Sequence, residues 1–184
     1  SQFAGVSADS FSTVRLFFAT DRARTGSLRP NDFYGGERGA TEYGTLDVTV
    51  PRIHKPGLIE SPSAIRFDWN ENPERHVVLT RVETLTADEM FGSMRSLLES
   101  HGSDEAFVFV HGFNTSFDYA IFRAAQITYD LKFDGVPFAY SWPSRGGVSS
   151  YTYDRESSGQ AQRFLKDFLQ LVIDKSGAKA ISII

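Results

Sequence analysis

Residues 106–114 read AFVFVHGFN. Ala106 to Val110 form a short, continuously apolar run, the composition of a strand covered on both faces and therefore of a parallel sheet between helices. The flanking sequence supplies the helices. Upstream, Thr86 and Glu89 form a capping box, and Met90, Met94, Leu97, Leu98 and His101 follow at helical spacing until Gly102 stops the helix. Downstream, a helix from about Ser116 carries Phe117, Ile121, Ala124, Ile127 and Leu131 on one face. GVPFAYSW (135–142) is then a strand with Pro137 at its start, and a third helix bearing Phe164, Phe168, Leu171 and Val172 ends at Gly177 before a last apolar run, KAISII (179–184). Strict alternation of helix and strand over short connections calls for right-handed crossovers and a parallel sheet with helices on both sides.

The front of the chain has a different period. VRLFFAT (14–20) is a β-branched and aromatic strand ended by Asp21, and the Gly-, Pro- and Arg-rich stretch from Arg22 to Tyr43 reads as a wide loop. Leu46, Val48 and Val50, then Val78, Thr80 and Val82, alternate with polar neighbours as half-buried strands do. The fold class expected is a three-layer α/β sandwich, with antiparallel N-terminal strands leading into a parallel sheet. Residues 1–13 form a loose polar tail and residues 14–184 belong to a single domain, with no linker or internal repeat.

Composition narrows the function. A chain of 184 residues with 41% hydrophobic content and sixteen Phe buries a sizeable core. The net charge of −4 comes from interspersed signs, which argues against a nucleic-acid partner. With no cysteine there is no disulfide, thiolate zinc site or cysteine nucleophile, while the compartment stays open between cytoplasmic and exported. No apolar run approaches the roughly 20 residues of a membrane span. His54, His76 and His101 are scattered, and no histidine falls into a metal-ligand spacing.

In such folds ligands meet the carboxyl ends of the strands. HGFN stands at the sharpest of these ends. His111 and Gly112 follow the buried strand, and Gly112 lets the backbone turn without a Cβ clash, directing the amide of Phe113 into a cleft as an oxyanion donor. The plainer alternative is a glycine turn with Asn114 capping the next helix. Ser141, Trp142, Tyr151 and Tyr153 stand near the cleft mouth, the aromatic residues either facing substrate or filling core. Asp21 and Arg22 make either a salt-bridged turn or a polar pocket wall, and Asp154 and Ser157 read as a helix N-terminal cap.

Four separated motifs, FFATDRAR (17–24), VFVHGFN (108–114), AYSWPSRGG (139–147) and YTYDRES (151–157), together resemble the bacterial α/β-hydrolase family known as domain of unknown function 900. The likeness runs from about Val14 to the last residue. It implies an α/β-hydrolase fold and a Ser-His-Asp triad acting on a small carboxylic ester without a cofactor. It also implies that His111 shapes the oxyanion loop. In that family the strand equivalent to KAISII runs into a nucleophile elbow of the form A-H-S-M-G, so the chain stops where the elbow would begin and carries no nucleophile of its own. Ser182 lies inside the last apolar run, and Ser141 has no sharp glycine turn around it, with Pro143 close behind. Two function classes follow. One is a serine esterase represented by its N-terminal part, in which residues 1–184 alone are inactive; the other is a non-catalytic binding or assembly module. The last strand is expected to be completed by further chain of the same protein or by a second copy.

Overall fold

A computed structural model describes residues 11–51, 77–113, 115–144 and 151–184. Six strands form one mixed sheet: β1 (Phe11–Arg24), β2 (Tyr34–Pro51), β3 (Val78–Leu85), β4 (Glu105–Val110), β5 (Val136–Ser141) and β6 (Ala180–Ile183). Among the described residues three α-helices accompany it: α1 (Ala87–His101), α2 (Phe117–Asp130) and α3 (Tyr151–Lys175). The sheet order is β3-β2-β1-β5-β4-β6. β1 to β3 pair antiparallel, whereas β1–β5, β5–β4 and β4–β6 are parallel.

Strand alternation divides the core in two. Leu16 and Phe18 face one side, with Leu46, Val48, Phe117 and Ile121, under α2. Phe17 and Ala19 face the other, with Val108, Phe138, Met94 and Phe168, under α1 and α3. The chain steps from β4 to the neighbouring β5 through α2, and from β5 back across β4 to β6 through α3. Crossovers of one hand running in opposite directions must use opposite faces, which is how the two clusters are populated. The outgoing connections of β4 and β5 therefore diverge and leave a crevice between their carboxyl ends, the topological switch point at which open α/β sheets bind ligands.

Local signals in the sequence account for the element ends. The Glu89 amide donates to Thr86 Oγ1 at 3.2 Å, and Gly102 closes α1 in the left-handed region at φ 61°. Two expectations change. The stretch from Arg22 to Tyr43 is mostly strand, because Arg22 pairs with Arg38 and Arg24 with Tyr34 across the β1–β2 hairpin. Gly39 there serves close approach rather than a loop, since a Cβ would come within 2.7 Å of Ala23 Cα. Leu131 caps α2 from outside and is exposed. Among the described residues the last run forms a strand at the edge of the six, bonded to β4 alone, with Ile183 and Ile184 58% and 48% exposed.

Candidate functional site

The parallel register sets the floor of the crevice. Thr20 of β1 lies beside Ser141 of β5, and Val110 of β4 beside Tyr140, so the three strands deliver Asp21–Arg22, His111–Phe113 and Trp142–Ser144 to one end of the sheet. β1 reaches further than its parallel partner. It shifts register between Thr20 and Arg22 and again between Arg22 and Arg24, and such irregularities re-aim a side chain.

Arg22 is that side chain. It is 1% exposed, and its guanidinium ties together four segments. Nε donates to Ser141 Oγ at 2.8 Å, Nη1 to the carbonyls of Gly35 and Ser144 at 3.0 and 2.9 Å, and Nη2 to the Thr115 carbonyl at 2.7 Å. Nη2 also lies 3.3 Å from His111 Nε2. A rigid planar fork holds such a set; a lysine, with one nitrogen, does not.

His111 sits under the loop that it begins. Its Nδ1 is 2.8 Å from the Gly112 carbonyl and its Nε2 3.1 Å from the Trp142 carbonyl, while Trp142 Nε1 donates to the His111 carbonyl at 2.9 Å. The two rings stack with centroids 4.8 Å apart, and Phe113 meets Trp142 edge-on at 5.6 Å. Burial, reinforced by the neighbouring Arg22 charge, pushes the His111 pKa down to about 4, so the imidazole is neutral at pH 7 and a poor general base. A stability prediction follows. An unfolded histidine titrates near 6.5, so between about pH 6.5 and 4 only the unfolded chain takes up this proton. The stability present above that window is lost as pH falls through it, by about 3 kcal/mol. Urea melts at pH 7 and 4.5 are expected to show the loss, and His111→Gln to flatten it.

A second polar layer lies behind the first. Ser144 Oγ donates to Asp154 Oδ2 at 2.5 Å and accepts from the Thr115 amide at 3.0 Å, which fastens the strand-to-helix segments after β4 and β5 to α3. Asp21 pairs with Arg38 and accepts from the Tyr140 hydroxyl at 3.2 Å, while Arg38 also donates to Ser157 Oγ at 3.2 Å. Burial raises the Asp21 carboxyl pKa against the pull of Arg38.

Above this network lies a cleft of about 280 Å³. Val110, Phe113, Trp142, Ala161 and Leu165 give it an apolar wall, with His111 and Gly112 along one side and Gln162 of α3 opposite. Two larger hollows, about 820 and 720 Å³, do not reach the carboxyl ends of β4 and β5. One lies along α1 beside Thr45 and Glu83, the other at the opposite end of the sheet beside Thr13 and Gly135. Neither gathers convergent polar groups of the kind beneath the small cleft, which is why the site is placed there.

His111, Gly112, Phe113 and Trp142 thus line one cleft. Ser141 is 0% exposed and, with Arg22, lies beneath the cleft floor rather than on its wall. Asn114 lies outside the described residues, as do His54, His76 and the side chains of Tyr151 and Tyr153. Gly112 differs in its reason. Its φ is not positive, and a Cβ built there meets nothing within 4 Å, so the turn does not require glycine and the missing side chain keeps crevice space open. Sequence reasoning missed the joining role of Arg22, Ser144, Asp154 and Thr115. The available signal was a cation directly continuing a strand as apolar as LFFAT. Among the described residues no group of three or more His, Cys, Asp or Glu is placed to hold a metal ion.

Comparison with known proteins rests on one finding. The family model described as alpha/beta hydrolase of unknown function (DUF900) matches residues 87–184, more than half of the chain. The chain belongs to this family. The match spans α1 to β6 and so includes β4, the His111–Phe113 loop, β5 and α3, the elements around the crevice. No curated protein and no solved structure matches the chain. Membership places this DUF900 chain in an alpha/beta-hydrolase family of unknown function, and its mixed six-stranded sheet with helices on both faces agrees with that fold.

Proposed function

We propose that this chain supplies the oxyanion loop and acyl-group cleft of a triad-dependent serine hydrolase acting on small carboxylic esters. The observation that carries the reading is the His111–Gly112 contact. With the Gly112 carbonyl 2.8 Å from His111 Nδ1, the planar trans peptide aims the Phe113 N–H away from the imidazole. That is how a backbone donor at the end of a central strand serves a tetrahedral intermediate. The apolar cleft beside it suits an acyl group of modest size.

In this reading the nucleophilic serine, the acid and the catalytic histidine come from outside residues 1–184. Ser141 is a poor candidate because its buried Oγ already accepts from Arg22 and the neutral His111, which meets the same guanidinium, is too weak a base. No cofactor enters the scheme. The test uses p-nitrophenyl acetate and butyrate with the full encoded protein and with residues 1–184. Turnover abolished by a fluorophosphonate is expected from the first, and none above background from the second. Folded full-length protein without turnover would favour a non-catalytic binding module; serine-dependent turnover by residues 1–184 would return attention to Ser141.

The outer edge of β6 enters the same proposal. Among the described residues no strand pairs with that edge, and with its apolar side chains it is a template for a further strand, contributed by more of the same polypeptide or by a second copy. Residues 1–184 alone are accordingly expected to associate with rising concentration. Light scattering that stays at 20.5 kDa over a hundredfold concentration range would count against this.

A further inference from the structure

The loop after β4 is held by a side chain from a strand two places away in the sheet. We propose that Arg22 is a positioning residue for the crevice: its guanidinium fixes the tautomer of His111 and, through the His111–Gly112 hydrogen bond, the direction of the Phe113 amide. The proposal rests on the oxyanion-loop reading for its catalytic consequence but not for its structural content.

Counting donors and acceptors around the imidazole gives the argument. An arginine nitrogen only donates, and Arg22 Nη2 lies 3.3 Å from His111 Nε2. With Nε2 bare and Nδ1 protonated, the ring accepts from Arg22 and donates to the Gly112 carbonyl at 2.8 Å, leaving only the Trp142 carbonyl, 3.1 Å from Nε2, without a proton to accept. The opposite tautomer satisfies Trp142 but sets an N–H against the guanidinium and a lone pair against the Gly112 carbonyl. The doubly protonated ring would satisfy both carbonyls, and the Arg22 charge opposes it.

The groups that set this balance come from each element packed on the ring. Burial most of all, and then Arg22 of β1, disfavours the cation, while the carbonyls of Gly112 and Trp142 and the Asp154 carboxylate of α3 favour it. Arg22 is itself immobilised by bonds to Ser141, Ser144, Gly35 and Thr115. The chain of control runs from a buried cation to a ring proton, then to a carbonyl, then to the peptide plane that carries the Phe113 N–H.

Long-range ¹H–¹⁵N correlation spectra of the labelled protein read the tautomer directly, with His111→Gln assigning the signal. The expected wild-type result at pH 7 is the Nδ1–H form, resisting protonation until about pH 4. Arg22→Met is expected to raise that midpoint by about one unit or more and to release the Nδ1–H preference. In the full encoded enzyme it should lower kcat roughly tenfold or more, with little change in KM; loss of folded protein alone would scale the active fraction and move neither the tautomer nor the midpoint. An Nε2–H tautomer in the wild type would overturn the proposal, as would an Arg22→Met protein whose tautomer and midpoint are unmoved. Should Arg22→Met fail to fold, the wild-type tautomer decides. The spectra need no turnover, so failure of the esterase reading and failure of the Arg22 proposal are separable.

Discussion

Replacing Gly112 with valine is expected, on the proposed esterase reading, to lower kcat/KM of the full encoded protein for a short-chain ester by roughly 10²- to 10³-fold, the range for loss of an oxyanion contact. Its folding stability is expected to change by less than about 1 kcal/mol. The two halves of this prediction come from the same observation. A Cβ at position 112 meets nothing within 4 Å and the backbone φ is not positive, so the chain can accept a side chain without rearranging. The added methyl groups would instead stand in the crevice beside the Phe113 amide, where the proposed function has the reacting carbonyl approach. Gly112→Ala should give a smaller loss in the same direction. A large fall in melting temperature with unchanged kinetics per folded molecule would make this glycine a turn device, and no change in either quantity would make the loop an ordinary connection.

The largest expected loss of stability lies beneath the other wall of the cleft. Phe168 of α3 is 1% exposed and is the contact that seats the helix on the sheet. Its ring centroid lies 4.5 Å from Phe138 and 6.3 Å from Tyr140, with Tyr43 at 6.4 Å and Phe164 at 6.5 Å. Phe168→Ala removes the centre of that aromatic stack and leaves a cavity that four rigid rings cannot close. A cost of about 3 to 5 kcal/mol is expected, measurable by urea denaturation. Since Ala161 and Leu165 of the same helix line the cleft, activity per folded molecule should fall as well. A loss below about 1 kcal/mol would mean that α3 is held mainly by its polar ties to Ser144 and Arg38.

What could be read from the sequence follows from how local each signal is. The capping box at Thr86, the buried run Ala106–Val110 and the alternation after it depend on neighbours a few residues apart, and they give the α/β class and the position of the HG loop. The region 22–43 misleads because its glycines and arginines, which suggest a loop in isolation, pair across a long hairpin in which Arg22 faces Arg38. Arg22 shows the same limit more sharply. Its partners Thr115, Ser141 and Ser144 lie more than ninety residues away in the chain, and only the parallel pairing of β1 with β5 brings them within reach. The apolar composition of the last run indicates a strand but says nothing about its place at the edge of the described sheet. Gly112 stands between these cases, since its position at the end of the buried strand was legible while its surroundings, open space rather than a need for backbone freedom, required the neighbouring atoms.

The most direct measurement is a crystal structure of the full encoded protein after reaction with a small alkyl fluorophosphonate, whose tetrahedral phosphorus mimics the intermediate of ester hydrolysis. The adduct is expected in the crevice between the ends of β4 and β5, with one phosphoryl oxygen about 2.7 to 3.1 Å from the Phe113 amide nitrogen and the alkyl group against Trp142 and Leu165. An adduct formed elsewhere, or one in this crevice whose oxygen is bound by other donors while the Phe113 amide points away, would contradict the assignment of the His111–Phe113 loop as the oxyanion site.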